Sequence, residues 1–132
     1  MVLNCAGGEI NIAYPKHFKV HKFKANDHWQ YNLIEQHMDE CVEFIDKCKN
    51  NGDKILVHCM AGMNRSATIT VGYLLHYFKD MDLLRAVEYT VKKRSWILTN
   101  GGFRRQLIQY AHDKDKLIDY QPSEPPKFTS KL

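Results

Sequence analysis

The stretch VHCMAGMNRS, residues 57–66, places a cysteine at the end of an apolar run and an arginine six positions later. The run Lys54–His58 has the length and β-branched content of a buried strand, and we expect it to be covered on both faces. The stretch Arg65–Phe78 has the apolar spacing of a helix. Cys59 and Arg65 are therefore expected at the two ends of a loop that joins a strand to a helix N-terminus.

A loop in that position is suited to holding an anion. The first turn of a helix has backbone N–H groups without internal partners, and its dipole end is positive. Gly62 can adopt a backbone angle that other residues resist, and Arg65 offers a planar fork for two oxygens of a phosphate. A thiol there loses its proton readily, since cysteine pKa values fall to about 3.5–7.5 in such surroundings. Cys59 is thus a candidate nucleophile, with a structural core thiol as the alternative.

The remaining pattern predicts strands and helices in alternation. Residues 1–6 and 18–23 are predicted strands, and residues 24–29 form a loop. A helix is expected from about Trp29 to a cap at Gly52. Further helices are predicted over 81–94, capped by Asp80 or Asp82, and over 103–118, after an Asn-Gly-Gly loop. This alternation implies a mostly parallel sheet, with ligands bound beyond the carboxyl ends of its strands, where Cys59 lies.

Composition narrows the class of protein. The chain has 132 residues, 44% of them hydrophobic and 26% charged, which fits one globular domain. It has no apolar run long enough for a membrane span and no pattern of a secretory signal. The four cysteines form no C-x-x-C pair, so we expect free thiols in a reducing compartment and no zinc ribbon. The expected location is the cytoplasm, with the nucleus as an additional location, and no cofactor is expected. A net charge of +4 is too small to indicate a nucleic acid partner.

Two motifs resemble those of a known family. Residues 58–66 resemble the H-C-x-x-G-x-x-R-S signature of dual-specificity phosphatases, in the cysteine-based protein tyrosine phosphatase superfamily. Residues 96–107 resemble a second family motif, P-N-x-G-F-x-x-Q-L, with Thr99 where Pro is usual. The resemblance implies an α/β fold, an αβα sandwich with a mostly parallel central sheet and helices on both faces. It implies a catalytic domain over residues 1–120. Residues 121–132 are rich in Pro and Ser, so we expect them to form a flexible tail.

The resemblance also assigns roles to residues. Cys59 is the implied nucleophile, Arg65 the phosphate ligand, and Ser66 the group that assists breakdown of a phosphocysteine. His58 and Asn100 are implied to support the loop. The loop backbone is implied to bind the phosphate oxygens, through Met60, Ala61, Gly62, Met63, Asn64 and Arg65. No metal is expected to take part.

The general acid of the family lies about thirty residues before the cysteine. That position falls in the loop KANDHW, whose carboxylate is Asp27. Asp27 is expected to protonate the leaving oxygen and then to activate water. The alternative is that it only caps the following helix. Asp39 and Glu35 are rivals, but both lie within a helical pattern.

The expected function is that of a cysteine-dependent protein phosphatase. Its substrates are expected to be phosphotyrosine and phosphoserine or phosphothreonine in proteins. Phosphoinositides or RNA 5′-triphosphates are alternative substrates, and a non-catalytic phosphate-binding adaptor is a further alternative. The resemblance implies further edge elements ahead of the first strand, and we expect this edge of the sheet to be absent, shortened or supplied from elsewhere. An exposed sheet edge of this kind could support a homodimer. Cys5 is a candidate redox partner of Cys59.

Overall fold

A computed structural model describes residues 1–117, which form a three-stranded parallel sheet and four helices. The strands are β1 (Val2–Asn4), β2 (Val20–Lys22) and β3 (Leu56–His58). The helices are α1 (Leu33–Asn50), α2 (Arg65–Tyr77), α3 (Leu83–Lys93) and α4 (Gly101–Asp113). The predicted α/β class with a parallel sheet is confirmed.

The sheet has the order β2-β1-β3, with β1 in the centre. Asn4 is in register with His58 on one side and Lys22 on the other. Because the strands are parallel, their carboxyl ends meet at one edge of the sheet. The backbone N–H of Cys5 continues the pairing by donating to the carbonyl of His58 at 2.7 Å. Cys5 and Cys59 therefore follow neighbouring strands at the edge where a ligand was expected.

The prediction that Lys54–His58 is buried on both faces is wrong. Within residues 1–117, β3 pairs only with β1 and lies at the edge of the sheet, and the side chain of Leu56 is 58% exposed. The strand that is fully buried is β1. A short apolar run indicates a strand, but its position in the sheet depends on which partners the topology places beside it.

Helix α1 buries one apolar face and starts later than the pattern indicated. The buried side chains on this face are those of Leu33, Met38, Cys41, Ile45 and Cys48. Gly52 follows the helix with a φ of 71°, as expected for a C-terminal cap. The helix begins at Leu33 rather than near Trp29. The distant side chain of Gln106 binds the carbonyl of Tyr31 and the N–H of Ile34, so a tertiary contact decides this boundary.

The caps of α3 and α4 give different outcomes. Asp82 caps α3 by accepting from the N–H of Arg85 at 2.9 Å, which confirms one of the two predicted caps. The expected Asn-Gly-Gly loop is wrong, because Asn100 is the N-cap and both glycines lie inside α4. The helix also ends at Asp113, earlier than predicted. The last residue of the predicted helix, residue 118, and the predicted tail, 121–132, lie outside the described residues.

Gly102 fills a position where a side chain has no space. A Cβ atom added there would lie 1.8 Å from the carbonyl oxygen of Trp29, which is backbone and cannot rotate away. Helix α4 therefore packs directly against the segment that leads into α1. The same contact places the first turn of α4 close to the Asp27 loop.

We expect Gly102→Ala to destabilise the protein by about 1–3 kcal/mol or more, because the added methyl group overpacks this contact. Thermal unfolding followed by circular dichroism measures the effect. The adjacent variant Gly101→Ala is the control, since a Cβ there meets only the flexible end of Arg104 at 3.5 Å. Equal unfolding temperatures for the two variants would contradict the packing argument.

Candidate active site

The loop of residues 59–64 joins β3 to α2, as the sequence predicted. Three of its carbonyl groups are turned outward. Those of Ala61 and Gly62 accept from the guanidinium of Arg94, at 3.0 and 3.3 Å, and that of Met63 accepts from the N–H of Leu98 at 2.9 Å. Because each peptide unit is planar and trans, the following N–H groups point the opposite way, into the loop. Outward carbonyls and inward amides make an anion-binding cradle.

Gly62 allows the turn in this loop. Its φ is 66°, in the left-handed region that favours glycine, as the sequence indicated. A Cβ atom at this position would also lie 3.0 Å from Nη2 of Arg94. The glycine therefore serves both the backbone conformation and the close approach of Arg94.

The Cys59 thiol lies at the bottom of the cradle and is only 6% exposed. Its Sγ is 3.2 Å from Oγ of Ser66. Burial would raise the pKa of Cys59, but hydrogen bonds from the Ser66 hydroxyl and from the amides of Ser66, Gly62 and Met63 outweigh it, so the pKa is lowered. In contrast, burial raises the pKa of Cys41 to about 12. The thiolate form of Cys59 is thus stabilised relative to that of an ordinary cysteine, whereas burial disfavours the thiolate of Cys41.

We expect Ser66→Ala to raise the pKa of Cys59, because the variant removes a hydrogen bond that stabilises the thiolate. A group with a lowered pKa is ionised at lower pH, so the rate of alkylation by iodoacetamide should rise with pH earlier in wild type than in the variant. Alkylation rates measured across pH, with the site identified by peptide mass, test this. Coincident profiles would show that Ser66 does not stabilise the thiolate.

Arg65 begins α2 and its side chain is 5% exposed. Nη1 donates to Oε1 of Glu9 at 2.8 Å and to the carbonyl of Ala25 at 2.9 Å, and Nη2 donates to Oε2 of Glu9 at 3.1 Å. Burial lowers the pKa of Arg65, but the hydrogen bonds and charge of Glu9, together with the charges of Cys59 and Asp27, more than offset it. The guanidinium is therefore a permanent cation beside the thiol.

Asp27 lies next to the phosphate loop. The side-chain amide of Asn64 donates to Oδ2 of Asp27 at 2.9 Å, and that of Asn100 donates to Oδ1, also at 2.9 Å. Asn32, not Asp27, is the N-cap residue of α1. The structure thus places the predicted carboxylate in contact with two residues from separate parts of the chain, and helix capping does not account for it.

The supporting residues form hydrogen bonds around the loop. His58 Nε2 lies 2.8 Å from the Tyr14 hydroxyl. The backbone N–H of Asn100 donates to Oδ1 of Asn64 at 3.1 Å, so Asn100 contacts both the loop and Asp27. Thr99, which stands where the family motif has Pro, exchanges hydrogen bonds with the Asn64 side chain at 3.1 and 3.2 Å.

Sequence reasoning missed two charged residues that contact the site. Glu9 lies in the turn after β1, and Arg94 caps the end of α3. A charged residue in a short loop carries no local signal of its partner. Only the tertiary fold brings Glu9 to Arg65, across 56 positions, and Arg94 to the loop carbonyls.

Residues 1–117 contain neither a cluster of metal-ligating side chains nor a helix that could span a membrane. No group of three or more histidine, cysteine, aspartate or glutamate side chains among these residues could hold a metal. In the same part of the chain, every helix is too short or too polar to cross a bilayer.

Comparisons with known proteins agree with this geometry. The family model "Dual specificity phosphatase, catalytic domain" matches residues 1–113. The chain is 41% identical to dual specificity protein phosphatase 1 of Arabidopsis thaliana over 98 residues, which are 74% of this chain and 48% of that protein. It is 34% identical over 103 residues, 78% of this chain, to a probable rhodanese domain-containing dual specificity protein phosphatase of Dictyostelium discoideum, of which it covers 21%. The chain thus spans half or less of the length of these relatives.

Solved structures show the same fold. The crystal structure of human tyrosine phosphatase-like serine/threonine/tyrosine-interacting protein superposes with a TM-score of 0.75 at 28% identity, covering 85% of this chain and 76% of that one. Human DUSP28 superposes with a TM-score of 0.79 at 19% identity, covering 86% and 78%, which supports the fold alone. By its motifs, its loop geometry and the family match over most of its length, the chain belongs to the dual specificity phosphatase family, in the region of that family's catalytic domain.

Proposed function

We propose that this chain hydrolyses phosphotyrosine, and phosphoserine or phosphothreonine, in protein substrates through a phosphocysteine intermediate. The observation that carries the proposal is the buried Cys59 sulfur, which is hydrogen-bonded by Ser66 and loop amides next to the Arg65 cation. This arrangement supplies an ionised nucleophile and an anion site at the same point. An adaptor without catalysis needs no activated thiol and is not favoured.

In the first step, the Cys59 thiolate forms a bond to phosphorus while the bond to the leaving oxygen breaks. Arg65 and the inward amides of residues 60–65 stabilise the charge on the phosphoryl oxygens. Asp27 gives its proton to the leaving oxygen. The products are the dephosphorylated side chain and a phosphocysteine.

In the second step, water attacks the phosphocysteine. The Asp27 carboxylate takes a proton from that water, and the sulfur leaves as a thiolate that the Ser66 hydroxyl stabilises. Inorganic phosphate is released and Asp27 is protonated again, so the enzyme returns to its starting state. Asn64 and Asn100 hold Asp27 beside the loop in both steps.

The substrate class is tested by comparing kcat/KM of the wild-type protein on four substrates. These are a phosphotyrosine peptide, a phosphothreonine peptide, a phosphoinositide and a 5′-triphosphorylated RNA. We expect the phosphopeptides to have the highest values, because the side chains at loop positions 60, 61, 63 and 64 are uncharged and offer no extra cation to a highly phosphorylated group. A higher value on the lipid or the RNA would replace the proposal with one of its alternatives.

We expect Asp27→Asn to lower kcat/KM for phosphotyrosine by about 10²- to 10⁴-fold, the usual contribution of a general acid. The loss should be smaller for para-nitrophenyl phosphate, whose leaving group needs less protonation. Asp39→Asn, an exposed aspartate of α1, is the control and should retain wild-type kinetics. Unchanged kinetics in Asp27→Asn would remove this residue from the mechanism.

We also propose that the edge of β3 pairs with a second copy of the chain. Within the described residues β3 has one strand neighbour, and Leu56 is exposed there. Light scattering coupled to size-exclusion chromatography tests this, with Leu56→Lys expected to shift a dimer to monomer. A monomeric wild type would overturn the proposal.

A further inference from the structure

Glu9 contacts Arg65 at the end of the guanidinium that carries Nη1 and Nη2. The group has five N–H donors. Three of them are engaged by Glu9 and by the carbonyl of Ala25, all through Nη1 and Nη2. The two carboxylate oxygens of Glu9 span the end of the fork, which fixes the plane of the guanidinium.

Two donors of Arg65 remain, and they lie on the same side of the group. Nε is buried and has no hydrogen-bond partner among residues 1–117. Nη2 has one further hydrogen beyond its bond to Glu9. Nε–H and this Nη2–H are parallel, so together they match two oxygens of a tetrahedral anion. A buried unpaired donor is costly, which indicates that it is kept for a ligand.

The backbone before Glu9 holds the carboxylate in place. The N–H of Glu9 donates to the carbonyl of Ala6 at 2.9 Å, so a tight turn follows β1. Gly7 lets this turn approach β2, because a Cβ there would lie 3.1 Å from the carbonyl oxygen of Phe23. The Arg65 hydrogen bonds hold the pKa of Glu9 below its usual range, so it stays a carboxylate where the enzyme would work.

We propose that Glu9 is a positioning residue that turns the Nε side of Arg65 toward the phosphoryl group of the substrate. The inference rests on the proposed phosphatase function and extends it, since Glu9 itself touches neither the phosphate nor the thiol. The carboxylate binds the guanidinium at Nη1 and Nη2 and leaves the Nε side for the phosphoryl group. In this ion pair the Arg65 side chain is buried, whereas the Glu9 side chain is 44% exposed.

The experiment compares Glu9→Gln and Glu9→Ala with wild type on para-nitrophenyl phosphate. Both variants remove the negative charge, but glutamine keeps one oxygen acceptor for the fork. We expect kcat/KM to fall about 10- to 100-fold in Glu9→Gln, as for the loss of a hydrogen bond to a charged group, and further in Glu9→Ala. Glu88→Gln, an exposed glutamate of α3, is the control. Thermal unfolding of each variant confirms that folded protein is compared.

The same variants are tested for binding of inorganic tungstate by thermal shift, a readout that does not depend on turnover. We expect Glu9→Gln to bind tungstate more tightly than Glu9→Ala, because it retains part of the orientation. Wild-type turnover and wild-type tungstate affinity in both variants would overturn the inference and make Glu9 a spectator. Turnover above wild type in either variant would also overturn it and make Glu9 a competitor for Arg65. If wild type shows no turnover, the proposed function fails, and the order of tungstate affinities still decides the role of Glu9.

Discussion

Cys59→Ser is expected to lower turnover of para-nitrophenyl phosphate by about 10⁴-fold or more, as when a covalent nucleophile is removed. A serine hydroxyl at this position is not ionised at neutral pH, whereas the loop amides and Ser66 lower the pKa of the cysteine thiol against the effect of burial. The substitution is small and retains the hydrogen-bonding partner, so the anion cradle should persist. We therefore expect Cys59→Ser to bind inorganic tungstate while failing to turn over substrate.

The matched control for this variant is Cys48→Ser. Cys48 is a buried thiol at the end of α1, and its Sγ lies 3.4 Å from the carbonyl of Asp53, a contact that a serine hydroxyl can also make. Rapid quenching of the wild-type reaction, followed by mass analysis, should find one phosphoryl group on the peptide that contains Cys59. Turnover at the wild-type level in Cys59→Ser would show that another group is the nucleophile.

Arg65→Lys is expected to lower kcat/KM by about 10²- to 10³-fold, although the charge is preserved. Lysine is a point charge without a fork, so it cannot bind two phosphoryl oxygens side by side. It also cannot satisfy both oxygens of Glu9 and the carbonyl of Ala25 in the same geometry. The loss should therefore appear in turnover and in tungstate affinity together.

Stability has to be separated from catalysis in this variant. An unpaired buried acceptor costs about 1–3 kcal/mol, so a lower unfolding temperature is also expected for Arg65→Lys. Kinetics are measured well below that temperature and expressed per folded protein. Arg85→Lys, an exposed arginine of α3, is the control. An Arg65→Lys protein with wild-type kcat/KM would exclude the bidentate role.

Local sequence determined the central part of the site. The run that ends at His58, the small residues around Gly62 and the helical spacing after Arg65 together predict a loop between a strand and a helix N-terminus, and the structure confirms it. These features can be predicted from the sequence because each depends on residues close together in the chain. The position of Asp27 in an exposed loop could be predicted in the same way, but its hydrogen bonds with Asn64 and Asn100 could not.

The boundaries of helices and strands were harder to predict from the sequence where residues distant in the chain decide them. The start of α1 depends on Gln106, more than seventy positions away. The start of α4, in contrast, is set locally, because the Asn100 side chain accepts from the N–H of Phe103, three positions later. The edge position of β3 depends on strand order. Secondary-structure propensity does not predict such contacts, because it sums the preferences of residues within a short window.

Spacing and local backbone chemistry were enough to predict the nucleophile candidate, the anion loop and the parallel α/β class. The residues that surround them became known only from the folded chain: Glu9 on Arg65, Arg94 on the loop carbonyls, and Asn64 with Asn100 on Asp27. A hydrogen bond between side chains far apart in sequence leaves no periodic pattern in the sequence. It exists only after parallel strands bring their carboxyl ends to one edge of the sheet.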